Sequence, residues 1–442
     1  MRMDVQGHTA AAIGRAIGRG EADPVEVAEA HLSAIAAHPH RDRVWARLTP
    51  ERARAEAEAA RVRAREGRRR GPLDGVPLSW KDLFDTAGVA TEAGTTLHAG
   101  RVPERDAEVL ARATEAGTLC LGKTHMTEFA FSGLGLNPAT ATPPNRHDPE
   151  RLPGGSSSGA AASVALGMAP AAVGSDTGGS VRLPAAWNDL VGFKPGHGAL
   201  PLTGVVPLCP SFDTVGPIAQ DVEDAALLWE AMGGPRVDLG GASLGGATFG
   251  VLRSVVMDGL EDAPARAFEA AAARLSRAGA RIVELEVPRL PRAFELGMPI
   301  YAAEAWASWR HLVQGAEARV FPPVLLRISA GREVLAADYI LAWEELRAIR
   351  AEATAAFDEV DAVICPTAPI LPPLAAEVLA DHELFRVRNL LALRNTRMAN
   401  LLGLASVSVP TGVASCGLML SVAPGREAQM LTFAQAALTS LA

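Results

Sequence analysis

The run Gly174-Ser175-Asp176-Thr177-Gly178-Gly179-Ser180-Val181-Arg182-Leu183-Pro184-Ala185 follows an apolar stretch, Ala169–Gly174, that reads as a buried strand. Two adjacent glycines ahead of Ser180 let consecutive backbone N–H groups converge on one point, which suits an oxyanion. A tight turn would look the same. Upstream, Pro153-Gly154-Gly155-Ser156-Ser157-Ser158-Gly159 leads into an Ala-rich helix, Ser158–Gly167, and alone reads as a flexible turn. Further back, the apolar run Gly75–Trp80 ends in Lys81. A lysine held there is desolvated, which disfavours its charged form and lowers its pKa. The plainer alternative is a lysine that snorkels to solvent.

Working outward, short apolar runs alternate with helical patterns. Strands are expected at Gly75–Trp80, Leu119–Leu121, Ala169–Gly174, Thr248–Leu252, Ile282–Val287, Ala362–Cys365 and Ser406–Val409. Helices are expected near Arg105–Ala116, Val222–Met232, Ala263–Ala278, Ala336–Val360 and Glu427–Leu441. Asp23-Pro24 marks an N-cap and first helical residue for a helix to Ala37, and a second runs from Glu51 to about Arg69. The Arg68–Arg70 cations suit that helix's C-terminus. Alternation of this kind predicts an α/β fold, a central mixed, largely parallel sheet covered by helices on both faces. No internal repeat is visible, and Gly234–Gly246 is the best linker or surface-loop candidate.

Composition bounds the function. The 442 residues are 48% hydrophobic and 21% charged, which excludes disorder over most of the length. A net charge of −8 argues against a nucleic-acid partner that lives on phosphate contacts. Cys120, Cys209, Cys365 and Cys416 are far apart, so neither a disulfide scaffold nor a Cys-rich metal site is expected. Met1–Gly20 lacks an apolar leader core, and the uncharged stretches Leu152–Ser175 and Met398–Gly425 are broken by Gly, Ser and Pro. No membrane association is expected, and a cytoplasmic location follows.

Two passages mimic other motifs. Gly117–Thr124 fits the phosphate-loop pattern, but its four middle residues are largely apolar and read as a strand with its helix ahead of it. A backbone committed to a sheet ladder cannot wrap a phosphate. Gly155–Gly159 fits the nucleophile-elbow pattern centred on Ser157, yet a polar, Pro-broken loop precedes it where a strand is required.

Taken in order, these pieces resemble the amidase signature family. Asp176–Ala185 matches its central motif, Pro153–Ser157 its Gly-Gly-Ser-Ser motif, and Gly75–Asp82 its lysine segment. The likeness continues through Gly122–Phe129, Val191–Pro195, Ser211–Pro217, Asp361–Thr367 and Ala399–Gly403, nearly the whole chain. The resemblance implies one amidase domain over residues 1–442: N-terminal helices to about 70, a signature core over about 71–220, and a less defined substrate-side region over about 235–360.

It also implies a Ser–Ser–Lys triad: Ser180 as nucleophile, Ser156 as the bridging serine after a cis peptide with Gly155, and Lys81 as base. Ser156 and Ser180 stand 24 positions apart, as in the family pattern. Backbone N–H groups of Thr177, Gly178, Gly179 and Ser180 would form the oxyanion hole. The physics agrees, since a serine needs a base and lysine serves only when burial has pulled its pKa towards ~7–8. The expected reaction cleaves the C–N bond of a small, primary carboxamide to acid and ammonia through an acyl-serine, with no metal or organic cofactor.

Some features depart from the pattern. Ala186-Trp187-Asn188-Asp189 replaces the usual Phe-Cys-Gly, Gly403-Leu404-Ala405 lacks a proline, and the turn before the final strand, Thr411–Cys416, is short. These changes read as substrate-side loops. Met126, Phe129 and Trp187 are candidate pocket walls, with core packing as the alternative. Arg182 reads as part of the structural motif, and Arg394 and Arg397 as solvated cations that could otherwise reach the pocket mouth. The acyl group is open: aliphatic, aromatic, carboxylated or ureide-like. The competing function is the amidase subunit of a tRNA-dependent glutamine amidotransferase, which usually has Gln at Leu183 and Asp at Thr127. A non-catalytic binding protein is the remote third reading. A homodimer is the commonest soluble assembly and is compatible with this chain.

Overall fold

The computed structural model describes residues 7–441, so the first six residues of the segment read as leaderless lie outside it. Eleven strands form one sheet: β1 (Trp45–Leu48), β2 (Pro77–Lys81), β3 (Leu119–Thr124), β4 (Ala171–Asp176), β5 (Val191–Lys194), β6 (Thr214–Ala219), β7 (Thr248–Leu252), β8 (Arg281–Leu285), β9 (Ala362–Pro366), β10 (Ala405–Pro410) and β11 (Gly417–Val422). Their spatial order is β1-β3-β2-β4-β6-β5-β10-β11-β9-β7-β8.

Side chains alternate between the two faces of a strand. Every residue of β2, β3, β4, β6, β9 and β11 is buried, so both faces of the central sheet are covered. The helix Ser158–Ala165 covers one face, where Ser163 Oγ and Ser79 Oγ lie 2.7 Å apart. Only the flanking strands β1 and β8 are largely part-exposed.

The α/β, mixed and two-face-covered character holds, but the sheet is not largely parallel. Ladders β2–β3, β2–β4, β7–β8 and β7–β9 are parallel, and the other six are antiparallel. Each antiparallel ladder uses β1, β5, β6 or β11. The apolar-run reading lacks the first three, and β11 entered it only as the strand after Thr411–Cys416.

The helix at Pro24–Ala37 starts as read: Asp23 caps it by accepting from the Val25 N–H. Helices at Glu108–Glu115, Val222–Ala231, Asp262–Arg277, Ala336–Phe357 and Glu427–Leu441 match their expected positions within a few residues. Gly234–Gly246 is a loop leading into β7. The helices absent from the sequence reading matter most for the site: Leu290–Val313, Pro322–Ser329, His382–Ala392 and Arg394–Leu401.

Gly117–Thr124 is a strand rather than a phosphate loop, as its apolar centre predicts. All of it from Leu119 onward is β3, paired on both sides, and Lys123 is buried in an ion pair with Asp82 at 3.2 Å. All four cysteines are buried and unpaired. Among the described residues, no helix is long and apolar enough to cross a membrane.

Candidate active site

β2 and β4 are parallel neighbours and therefore end at the same edge of the sheet. Lys81 closes β2, and Ser175 and Asp176 close β4. Lys81 is fully buried, and its Nζ donates to Ser156 Oγ at 2.6 Å and to Ser175 Oγ at 2.7 Å. Burial pulls its pKa down to about 7, against the opposing pull of Asp176 and Asp213. Ser156 follows a cis peptide with Gly155.

Ser180 lies in the turn between β4 and the helix Arg182–Trp187. Its carbonyl accepts from the Ser157 N–H at 3.3 Å, which joins this turn to the Gly-Gly-Ser loop. Ser157 itself is not poised as a nucleophile. Its hydroxyl donates to the Ser175 carbonyl at 3.2 Å and accepts from the Ser175 N–H at 3.3 Å, and no strand precedes it.

The turn is held by a buried charge pair. Asp176 accepts from Arg182 Nε at 3.0 Å and Nη2 at 2.8 Å, and from the N–H groups of Gly179 (2.8 Å) and Val181 (3.1 Å). Asn400 Nδ2 adds a bond to Asp176 at 3.0 Å, and Arg182 donates to Asn400 Oδ1 and the Thr396 carbonyl. Burial opposes ionisation of Asp176, but the Arg182 guanidinium overcomes it and holds the carboxyl well below the usual range. Arg182 is thus structural, as read from the motif.

A cavity of about 660 Å³ opens over this turn. Thr177, Gly178 and Ser180 line it, whereas Gly179 does not and spends its N–H on Asp176. Gly179 is required for another reason. With φ +132° it has a backbone few L residues adopt, and an added Cβ would sit 1.9 Å from Thr396 Oγ1. Tyr301 donates to the Thr177 carbonyl at 2.9 Å, and Thr396 to that of Gly178 at 2.9 Å.

Much of the remaining wall comes from the four helices missed in the sequence, including Tyr301, Leu326, Arg327, Leu390 and Arg397. None of Met126, Phe129 and Trp187 lines the cavity. All three are buried in the core, since a large apolar side chain beside a rigid motif gains most by packing. Phe129 packs on Trp309 with ring centroids 4.5 Å apart, while Phe131, two residues on, does line the cavity. Trp187 donates to the Ile370 carbonyl at 3.1 Å. Asn188 donates to the carbonyls of Pro153 and Pro184 at 2.8 Å each, so this departure staples the Gly-Gly-Ser loop to the helix after Ser180 rather than shaping a substrate loop.

Arg397 also departs from its expected solvated role, because it lines the cavity. Arg394 instead donates to the carbonyls of Asp258 and Val256. Among the described residues no three His, Cys, Asp or Glu side chains gather as a metal would require.

The sequence model of the family described as Amidase matches residues 26–431. The chain belongs to the amidase family. This amidase chain is 34% identical over 396 residues to 2-amino-5-chloromuconic acid deaminase of Comamonas testosteroni, covering 87% of this chain and 85% of that protein. It is also 34% identical to a glutamyl-tRNA(Gln) amidotransferase subunit of Salinispora arenicola, covering 93% and 92% of the two chains. Among solved structures, an amidase superposes with TM-score 0.89 at 32% identity, covering 98% of this chain and 100% of that one. The peptide amidase of Stenotrophomonas maltophilia gives 0.83 at 27% identity, with 98% and 96% covered. The amidase fold read from the signature motifs is therefore the fold observed, and the enzyme class is amide hydrolase.

Proposed function

We propose that this amidase acts alone on small carboxamides, with Ser180 as nucleophile, Ser156 as proton relay and Lys81 as base. The observation that carries this reading is the 2.6 Å contact between a buried lysine and Ser156. At a pKa of about 7 the lysine is neutral in roughly half the molecules at neutral pH. Its lone pair then accepts from the Ser156 hydroxyl, while its own N–H donates to Ser175.

Ser180 Oγ attacks the amide carbon as its proton passes to Ser156, and the Ser156 proton passes to Lys81. The oxyanion is received by backbone N–H groups of Thr177, Gly178 and Ser180, each donor contributing roughly 3–4 kcal/mol in sites of this kind. Gly179 is left out because its N–H already serves Asp176. Collapse breaks the C–N bond, the relay returns a proton to the leaving amine, and acyl-Ser180 forms. Water then attacks the acyl carbon through the same relay and the acid leaves.

Ammonia release by the purified chain across primary amides, with Ser180→Ala as blank, tests this reading. Turnover in the parent and none in the blank is expected. Equal ammonia from both would overturn it.

The second reading, a component of an amidotransferase, draws on the relatives with that name. Leu183 stands where such subunits usually have Gln, and it is fully buried among apolar side chains. Glutamine hydrolysis that appears only after a partner is added would favour this second reading.

A further inference from the structure

The charges around the cavity do not balance. Three arginines line it, Arg327, Arg386 and Arg397, against one carboxylate, Glu383. Glu383 is already committed, taking two bonds from Arg386 at 2.8 and 2.6 Å. Arg327 and Arg397 have no carboxylate partner among the described residues.

Arg327 is anchored as if to keep its charge in place. One nitrogen donates to the Phe131 carbonyl at 2.5 Å, and the guanidinium lies 3.9 Å from the centroid of the Phe131 ring. Arg397 is less satisfied. Its Nε is buried without any hydrogen-bond partner, and its guanidinium lies 5.3 Å from the Phe294 ring centroid. Burial lowers the pKa of both, Arg327 to about 9, and the Arg397 cation further disfavours the charge on Arg327. Both side chains are part-buried, and a cation drawn out of water without a counter-charge is costly unless something supplies one.

Arg397 is close to the reacting groups. A Cβ built on Gly178 would lie 3.9 Å from Arg397 Cγ, and the guanidinium begins two bonds beyond that atom. An anion held there sits within a short chain of the scissile carbonyl. The fork of a guanidinium matches a carboxylate in particular. The remaining wall, with Leu208, Leu326 and Leu393, suits methylene groups between the two ends of such a molecule.

We infer that Arg397, with Arg327 beside it, binds a substrate carboxylate, and that the amide hydrolysed is the monoamide of a short dicarboxylic acid. The choice of reaction rests on the hydrolase reading above, while the carboxylate site stands on the cavity's own charges.

The test compares succinamate and glutaramate with their methyl esters, which keep the shape and lose the charge. The parent chain favours the acids in kcat/KM by about 30-fold, the scale of a charge-assisted hydrogen bond. Arg397→Met shrinks that ratio at least tenfold by the same scale, and Arg397→Lys restores part of it. Esters hydrolysed as well as acids, or a ratio unmoved in Arg397→Met, would overturn the proposal and leave the hydrolase reading standing. A calorimetric titration of Ser180→Ala with succinamate reads the site without turnover. Binding that disappears on adding Arg397→Met supports the carboxylate site even if no amide is hydrolysed, which would sink only the hydrolase reading. No binding to Ser180→Ala would overturn the site. Should Arg397→Met fail to fold, as judged by its melting curve, Arg327→Gln carries the same comparisons.

Discussion

Lys81 Nζ lies 2.7 Å from Ser175 Oγ, a hydroxyl on the adjacent strand, and meets only hydroxyl and carbonyl oxygen. That second serine fixes the amine so that its remaining valence points at Ser156. Removing it should loosen the base without touching substrate. Ser175→Ala is expected to lower kcat about tenfold with KM little changed, on the scale of one lost neutral hydrogen bond. An unaltered kcat would assign Ser175 to packing alone.

The pH profile follows from the depressed lysine. Only neutral Lys81 accepts a proton, so kcat/KM should be low in acid, rise through an inflection near pH 7 and level off above it. Activity independent of pH between about 5 and 9 would contradict the assignment of the base.

A fluorophosphonate probe, mapped by peptide mass spectrometry, should label Ser180 and leave Ser157 untouched. The Ser157 hydroxyl is tied to the β4 backbone through both donor and acceptor bonds. Label on Ser157 would revive the elbow reading.

Asp176 and Arg182 are both fully buried, so removing one member strands the other. Asp176→Asn should cost about 3–5 kcal/mol of stability in urea unfolding. Asp176→Leu combined with Arg182→Met should recover part of that loss. Activity should stay absent in the double variant, because the turn bearing Ser180 loses the acceptor for its Gly179 and Val181 N–H groups.

Gly179→Ala places a methyl group where Thr396 Oγ1 stands and imposes a strained φ. Turnover should fall by at least a hundredfold, given about 1–3 kcal/mol of strain and a displaced oxyanion turn. Near-normal kcat would show that the turn tolerates a side chain.

The residues proposed to do the chemistry are legible in the sequence because each sits in a short contiguous motif, and the motif survives as a local structure. Lys81 at the end of an apolar run and Ser180 after two glycines need no knowledge of distant contacts. The cavity wall is opaque because it is assembled largely from residues 290–334 and 382–397, which are far apart in the chain and meet only through tertiary packing. Phe129 and Phe131 show the difficulty at its smallest scale. Positive φ at Phe129 (53°) and Ala130 (58°) turns the chain between them, and no hydrophobic pattern says which ring faces the cavity. The direction of the sheet's ladders is hidden for a related reason. β5 carries Gly192 and the charged Lys194, and β6 carries Gly216 and Pro217 side by side, so neither makes the unbroken apolar run by which β9 announces itself at Ala362–Cys365.

The common edge of β2 and β4 has an evolutionary corollary. The proposed bond-breaking groups sit at or beside the ends of two fully buried, paired strands, while the proposed acyl-side groups ride on helices drawn from elsewhere in the sequence. On that reading, substitutions in those helices would change what the enzyme accepts and leave the groups for cleavage in place. Grafting the helices of one family member onto the sheet of another is the natural route to a new amidase.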